Sequence, residues 1–315
     1  MNILVTGGAG FIGSHFVDLA MADPNHRVTV LDALTYAGTR DNLAEHDGDS
    51  RLRLIEGDVA DPGAVREALE GAEISVHFAA ESFVDRSIAA AEPFVRTNVQ
   101  GTLTMLTACR EAGVPMVQVS TDEVYGSIED GAFTEESPLA PNNPYAATKA
   151  AADLLCRSFR VTFDVDVRIL RGTNAYGPRQ HREKAIPGFI AAALGGRSLP
   201  VYGDGSNRRE WLHVSDFARA VWTAVEQGEP GGVYNAGGGH EVANLDLARE
   251  VCRLAGAQEE LVAFVDDRPG HDFRYSMSWD RIAALGWKPE VPFDEGLAGT
   301  IEWFRAHPER LEPTA

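Results

Sequence analysis

Short apolar runs recur along the chain at 2–6, 28–31, 52–55, 74–78, 116–120 and 165–170, and the intervals between them carry apolar residues at helical spacing. Such short runs have the length of strands, and strands alternating with helices predict a parallel sheet with right-handed crossovers. Ligands of such sheets gather at the carboxyl ends of the strands, so the residues that follow each run are the first candidates for chemistry. No internal repeat, low-complexity segment or flexible linker interrupts the pattern, and two interleaved lobes are expected. The run 293–304 has helical periodicity and is expected to pack rather than to act.

The first run leads directly into Gly7-Gly8-Ala9-Gly10-Phe11-Ile12-Gly13. A buried strand, a tight glycine turn and a helix start present backbone N–H groups to a pyrophosphate. The second run ends on Asp32, where a carboxylate accepts hydrogen bonds from an adenosine ribose and repels a 2′-phosphate, favouring NAD over NADP. The expected fold is therefore α/β: a Rossmann-type doubly wound parallel sheet with a smaller α/β C-terminal substrate lobe. Asp58 follows the third run, within reach of the adenine amino group. Ala79 and Ala80 follow the fourth, small enough to let the chain approach a cofactor. The fifth run ends in Ser120-Thr121-Asp122-Glu123-Val124-Tyr125-Gly126.

Farther on, Tyr145 and Lys149 stand four positions apart, on one face of any helix that begins at Pro144. An ammonium beneath the tyrosine ring, together with the positive end of the helix, favours a phenolate able to take a proton from a sugar hydroxyl.

At 315 residues the chain exceeds one average domain. Its formal charge of −19 disfavours nucleic acid and membrane surfaces, while leaving room for a phosphorylated substrate held by local arginines. Cys109, Cys156 and Cys252 have no metal-binding spacing and are expected in the core, so no metal is expected. No apolar stretch approaches a membrane span and the N-terminus lacks signal-peptide features, which leads to an expected place in the cytoplasm.

The glycine loop, the 120–126 run, the Tyr145/Lys149 pair and Arg209-Glu210-Trp211-Leu212 together resemble the extended short-chain dehydrogenase/reductase superfamily. Within it, the chain is most similar to the dTDP-glucose 4,6-dehydratases, a resemblance carried mainly by Asp122-Glu123 and extending to 34–38, 80–82, 84–87 and 268–272. The resemblance implies NAD held by Gly7, Gly10, Phe11, Ile12, Gly13, Asp32, Asp58, Ala79, Ala80, Tyr145 and Lys149. It implies that Tyr145 takes the proton of the C4 hydroxyl while hydride passes to NAD, with Thr121 hydrogen-bonded to the C4 oxygen. Glu123 is then the base at C5 and Asp122 the acid at C6, two carboxyls whose surroundings split their pKa values and so divide the work.

The substrate implied is a nucleotide-diphosphate sugar contacted by Ser82, Phe83, Asn174, Arg182, Lys184, Tyr202, Arg209, Asn235, Arg268 and His271. Asn174, Arg209 and Asn235 are expected near the diphosphate. Arg268 and His271 are expected on a loop over the nucleotide, and Tyr202 could offer its ring to the base. Residues 1–170 with roughly 211–236 are expected to form the NAD-binding domain, and 171–210 with 237–315 the sugar-nucleotide lobe. The family pairs two helices per subunit, here 93–112 and 145–162, into a homodimer.

Three departures from the family pattern fall in segments expected near the sugar or diphosphate: Phe83 for a usual histidine, Ala175 for an asparagine, and Arg182 for a proline. Uncompensated losses of buried hydrogen bonds of this kind cost roughly 1–3 kcal/mol each and change substrate preference. Two other activities share the loop and the Tyr/Lys pair. These are a nucleotide-sugar 4-epimerase, which needs no acid/base pair at C5 and C6, and a UDP-glucuronic acid decarboxylase, expected to set Arg179 or Arg182 against the sugar carboxylate. A cofactor-sensing regulatory protein is the alternative without turnover.

Overall fold

A computed structural model describes residues 1–267 and 269–312. Seven of the strands are β1 (Asn2–Thr6), β2 (Arg27–Asp32), β3 (Leu52–Glu56), β4 (Ile74–His77), β5 (Met116–Thr121), β6 (Val167–Gly172) and, later, β10 (Val233–Ala236). They form one parallel sheet in the order β10-β6-β5-β4-β1-β2-β3. Strand order reverses between β1 and β4, which opens a crevice at their carboxyl ends. Every residue of β4 and β5 is buried, as expected of central strands covered on both faces.

One face packs Phe16, Val17 and Ala20 of the helix Phe11–Met21 against Phe217 and Val221 of the helix Val214–Gln227. The other buries Met105, Leu106, Cys109, Cys156 and Phe159 from the helices Thr102–Ala112 and Pro144–Phe163. Thr173 alone separates β6 from β7 (Asn174–Tyr176), where the chain enters the second lobe. There β8 (Leu199–Tyr202) pairs with β12 (Val262–Val265), and β9 (Arg208–His213) lies between β7 and β11 (His240–Ala243). The helices Ala185–Leu194, Asn244–Ala255 and Phe293–Ala306 enclose a separate core that includes Ile190, Trp211, Val251, Cys252 and Leu297.

Two elements differ from expectation. The sixth strand starts at Val167 rather than 165, because the preceding helix ends in the left-handed turn of Asp164 (φ 58°) and the next two residues return the chain to the sheet. The expected helix 93–112 is interrupted: Val95–Gly101 winds as a π-helix. There Asn98 turns inward to accept from Glu81 N (2.9 Å) and donate to Thr148 Oγ1 (2.9 Å). Among the described residues no helix is long and apolar enough to cross a membrane.

Candidate active site

The crevice between the lobes is a cleft of about 740 Å³. Its floor is the glycine loop. Gly7 adopts φ 69°, and a Cβ there would stand 2.6 Å from Ala79 N; at Gly13 it would stand 2.2 Å from Gly7 O. Neither position tolerates a side chain without moving backbone. Phe11 and Ile12 begin the following helix and line the cleft with Gly10, Ala79 and Ala80. Asp32 ends β2 and accepts from Ala9 N and Leu34 N, both at 2.9 Å. Burial pushes its pKa up against those two bonds. Asp58 caps Ala60 N (2.8 Å), pairs with Arg96 (2.7 Å) and also faces the cleft. An open helix start, a close-packed glycine cradle and a carboxylate at the second strand's tip fit a dinucleotide.

Thr121, at the tip of β5, and the turn Asp122–Tyr125 meet the first turn of the helix Pro144–Phe163. Asp122 is 2% exposed; its carboxyl accepts from Thr121 Oγ1 (3.1 Å) and Thr173 Oγ1 (2.8 Å). Burial first, then the neighbouring Glu123, raises its pKa to about 7 despite those hydroxyls. Glu123 accepts from Asn143 Nδ2 (3.1 Å), and Tyr275 OH stands 3.5 Å away on a stronger bond to Asp272 (2.6 Å). Two adjacent carboxyls, one near neutrality and one held by donors, are equipped for acid and base work in one site.

Tyr145 and Lys149 share the buried face of their helix, and burial there works against the phenolate that the lysine and the helix start were expected to favour. Lys149 Nζ donates to Val119 O (2.7 Å), and burial lowers its pKa. Burial and the Glu123 charge raise the Tyr145 pKa, with only the Thr121 hydroxyl prominently opposing them. The physical reason is that desolvation outweighs the helix terminus in this enclosed position. Beneath them, His77 is fully enclosed between Thr6 (2.6 Å) and Thr102 (3.2 Å), its pKa lowered by burial and then by Lys149 to about 3.

On the substrate side, Ser82 O accepts from Lys184 Nζ (2.6 Å). Phe83 is buried in an aromatic nest, its ring 5.3 Å from Tyr36 and 5.2 Å from His181, with Lys184 Nζ 4.6 Å above it. The histidine absent at position 83 is thus met by an imidazole from the facing segment. Asn174 lines the cleft beside Ala175, and its buried Nδ2 has no hydrogen-bond partner among the described residues. Arg209 lies over the Tyr275 ring (4.5 Å) and donates to Asp272 O (2.8 Å), while Tyr202 and His271 meet edge to face at 6.0 Å on the rim.

Two expected substrate residues are elsewhere. Arg182 donates to Leu311 O (3.3 Å) and does not line the cleft. Asn235 is fully buried, accepting from Tyr125 OH (2.8 Å) and donating to Ser278 O (3.1 Å); it serves the fold. Arg179, considered for a sugar carboxylate, is paired with Asp18 (2.6 Å) outside the cleft. Arg268 lies outside the described residues. Conversely, Asn143, Thr173, Asp272 and Tyr275 brace the carboxyl pair without having been singled out. Only Asn143 carried a local signal, as a cap residue before Pro144; the others arrive from distant sequence. Among the described residues no group of three ligating side chains could hold a metal.

A parallel sheet with a glycine cradle at its switch point and a Tyr/Lys helix beside it defines an extended short-chain dehydrogenase/reductase. The pattern of the GDP-mannose 4,6 dehydratase family matches residues 4–300, and the chain belongs to that family. It is 51% identical to the low-salt glycan biosynthesis protein Agl12 of Haloferax volcanii over 96% of this chain and 98% of that one. It is 49% identical to a dTDP-glucose 4,6-dehydratase of Streptomyces niveus, over 99% of this chain and 95% of that one. DesIV, a dTDP-glucose 4,6-dehydratase from Streptomyces venezuelae solved with NAD bound, superposes with a TM-score of 0.97 at 51% identity, covering 99% of both chains.

Proposed function

We infer that the protein is an NAD-dependent 4,6-dehydratase that converts an NDP-hexose, dTDP-glucose first among candidates, into the NDP-4-keto-6-deoxyhexose. The observation that carries this reading is the Asp122-Glu123 pair beside Tyr145, with one carboxyl raised to about 7. When bound, NAD supplies the acceptor for the C4 hydride and returns it to C6. Tyr145 is the group that receives the C4 hydroxyl proton, and Thr121 orients that oxygen. The resulting ketone acidifies C5–H, which Glu123 removes; Asn143 holds the carboxylate in place. Asp122 protonates the departing C6 oxygen. Asn174 and Arg209 are donors suited to the diphosphate, and Phe83 sets an apolar wall where the family more often has an imidazole.

A 4-epimerase has no use for the carboxyl pair, and the decarboxylase reading loses support because Arg179 and Arg182 are engaged elsewhere. The division into an NAD-binding part (1–170 with roughly 211–236) and a sugar-nucleotide part is supported by the return of β10 to the large sheet. A homodimer is supported by exposed Leu103, Leu154, Val161 and Phe163 on the two helices expected to pair. Three buried free cysteines suit a reducing cytoplasm.

The test is incubation of purified protein with dTDP-glucose and, in parallel, UDP-glucose, UDP-N-acetylglucosamine and UDP-glucuronic acid, followed by product mass. Loss of one water from one substrate supports the reading and names the nucleotide. An unchanged mass with inverted C4, or loss of carbon dioxide, overturns it. In the productive case Tyr145→Phe lowers kcat on the order of 10²–10⁴-fold.

A further inference from the structure

We propose that Arg179 is a positioning residue: it pins the turn after β7 to the helix that starts at the glycine loop, and so sets the wall of the cleft against which the sugar nucleotide binds. The proposal rests on the dehydratase reading of the cleft and adds a residue that shapes it from outside.

Arg179 holds a left-handed backbone conformation, with φ 67°. A Cβ crowds the following carbonyl there, so the position ordinarily falls to glycine, asparagine or aspartate. A residue kept in such a conformation persists where its surroundings fix it, and ligand clamps are among the places where this is found. Here the side chain supplies the fixing contacts. Nη1 donates to Asp18 Oδ2 (2.6 Å) and Ser14 Oγ (3.3 Å), and Nη2 donates to Glu45 Oε1 (3.4 Å). One residue earlier, Pro178 O accepts from His15 Nε2 (3.0 Å). The Arg179 side chain is 12% exposed and that of Asp18 26%, so the pair is partly shielded from solvent.

Ser14, His15 and Asp18 all belong to the helix Phe11–Met21. Its first residues, Phe11 and Ile12, line the cleft beside the glycine loop. One helix therefore faces the dinucleotide site with its first turn and grips the substrate lobe with the next. The gripped turn runs directly into the cleft wall, where Gln180, His181, Glu183 and Lys184 line the cavity. At the far end of this segment Lys184 Nζ donates to Ser82 O (2.6 Å) and Glu183 accepts from Arg86 Nε (3.0 Å). The wall is thus held at both ends, and Arg179 makes the fastening at the near one.

Arg179→Gly separates side chain from backbone, because glycine adopts this conformation freely. With the nucleotide hexose that loses water in the wild type, its KM should rise about tenfold, the size of one charge-assisted hydrogen bond. Its kcat should stay within about threefold of the wild type, the pattern of lost ground-state binding, because Thr121, Asp122, Glu123, Tyr145 and Lys149 lie on other elements. Asp18→Asn should raise KM likewise, and it reads the same contact if the glycine variant does not fold. The double variant should show no larger shift than Arg179→Gly, as expected of two residues that act through one contact. A role in stability alone would lower the melting temperature and leave KM where it was. The pin is overturned by a wild-type KM in Arg179→Gly, by a fall in kcat with KM unchanged, by loss of NAD from that variant, or by single shifts that add in full. If no nucleotide hexose loses water, the dehydratase reading falls and the pin is decided instead by calorimetry on the NAD-loaded protein. The dissociation constant of dTDP or UDP, whichever the wild type binds, should then rise about tenfold in Arg179→Gly; an unchanged constant overturns the pin.

Discussion

Asp122 is held where a carboxylate is poorly solvated, and this has a consequence for stability. Its folded pKa, raised to about 7, exceeds the ordinary 3.8. The folded state therefore binds the proton more tightly than the unfolded chain, and stability falls as pH rises from about 4 to about 7. The loss at pH 8 is at most about 4 kcal/mol for a shift of that size. Asp122→Asn, which keeps acceptor and donor capacity without charge, should be more resistant to urea than the wild type at pH 8 and show no advantage at pH 4. Equal midpoints at pH 8 would contradict the buried-acid account. The residues that perform chemistry were legible because their types and local spacing carry the signal: Thr121, Asp122, Glu123, Tyr145 and Lys149 lie within two short segments. Those that tune them were not. Tyr275 reaches Glu123 across 152 positions, and Thr173 reaches Asp122 across 51.

Among the elements, the helix Pro144–Phe163 shows how one residue joins folding to function. Asn143 Oδ1 accepts from Ala146 N (2.8 Å) as the cap, and its Nδ2 donates to Glu123 (3.1 Å). Asn143→Ala should lose about 1 kcal/mol of stability, the usual worth of such a cap, together with turnover. Asn143→Asp should recover the stability while leaving turnover at least tenfold low, because a second carboxylate would face Glu123. Denaturation midpoints and initial rates separate the two effects, and an Asp variant with wild-type turnover would show that the contact to Glu123 is idle. The capping half of this dual role follows from Asn-Pro in the sequence. The π-helical Val95–Gly101 does not, since it exists to bring Asn98 to Glu81 and Thr148 in other segments.

For the whole molecule, the surface of the two long helical segments leaves Leu103 42%, Leu154 55% and Val161 72% exposed. Large apolar side chains left exposed on the helices expected to pair suit a second copy of the chain. Sedimentation should give about twice the 34.0 kDa chain mass for the wild type and the single-chain mass for a Leu103→Glu, Leu154→Glu double variant. A monomeric wild type would remove the homodimer proposal. Between the lobes, Arg86 Nε donates to Glu183 (3.0 Å) across the cleft mouth, a contact joining segments 97 positions apart.

By itself the sequence determined the alternation of strand and helix, the glycine turn, Asp32 at a strand tip and the paired carboxyls beside the Tyr/Lys helix, because each depends on period, conformational freedom or near neighbours. Only the tertiary structure decided that Arg182 and Asn235 leave the cleft, that His181 meets Phe83, and that burial raises the Tyr145 pKa. Those outcomes depend on burial and on contacts between distant segments, and desolvation is a property of the assembled interior that no local spacing encodes.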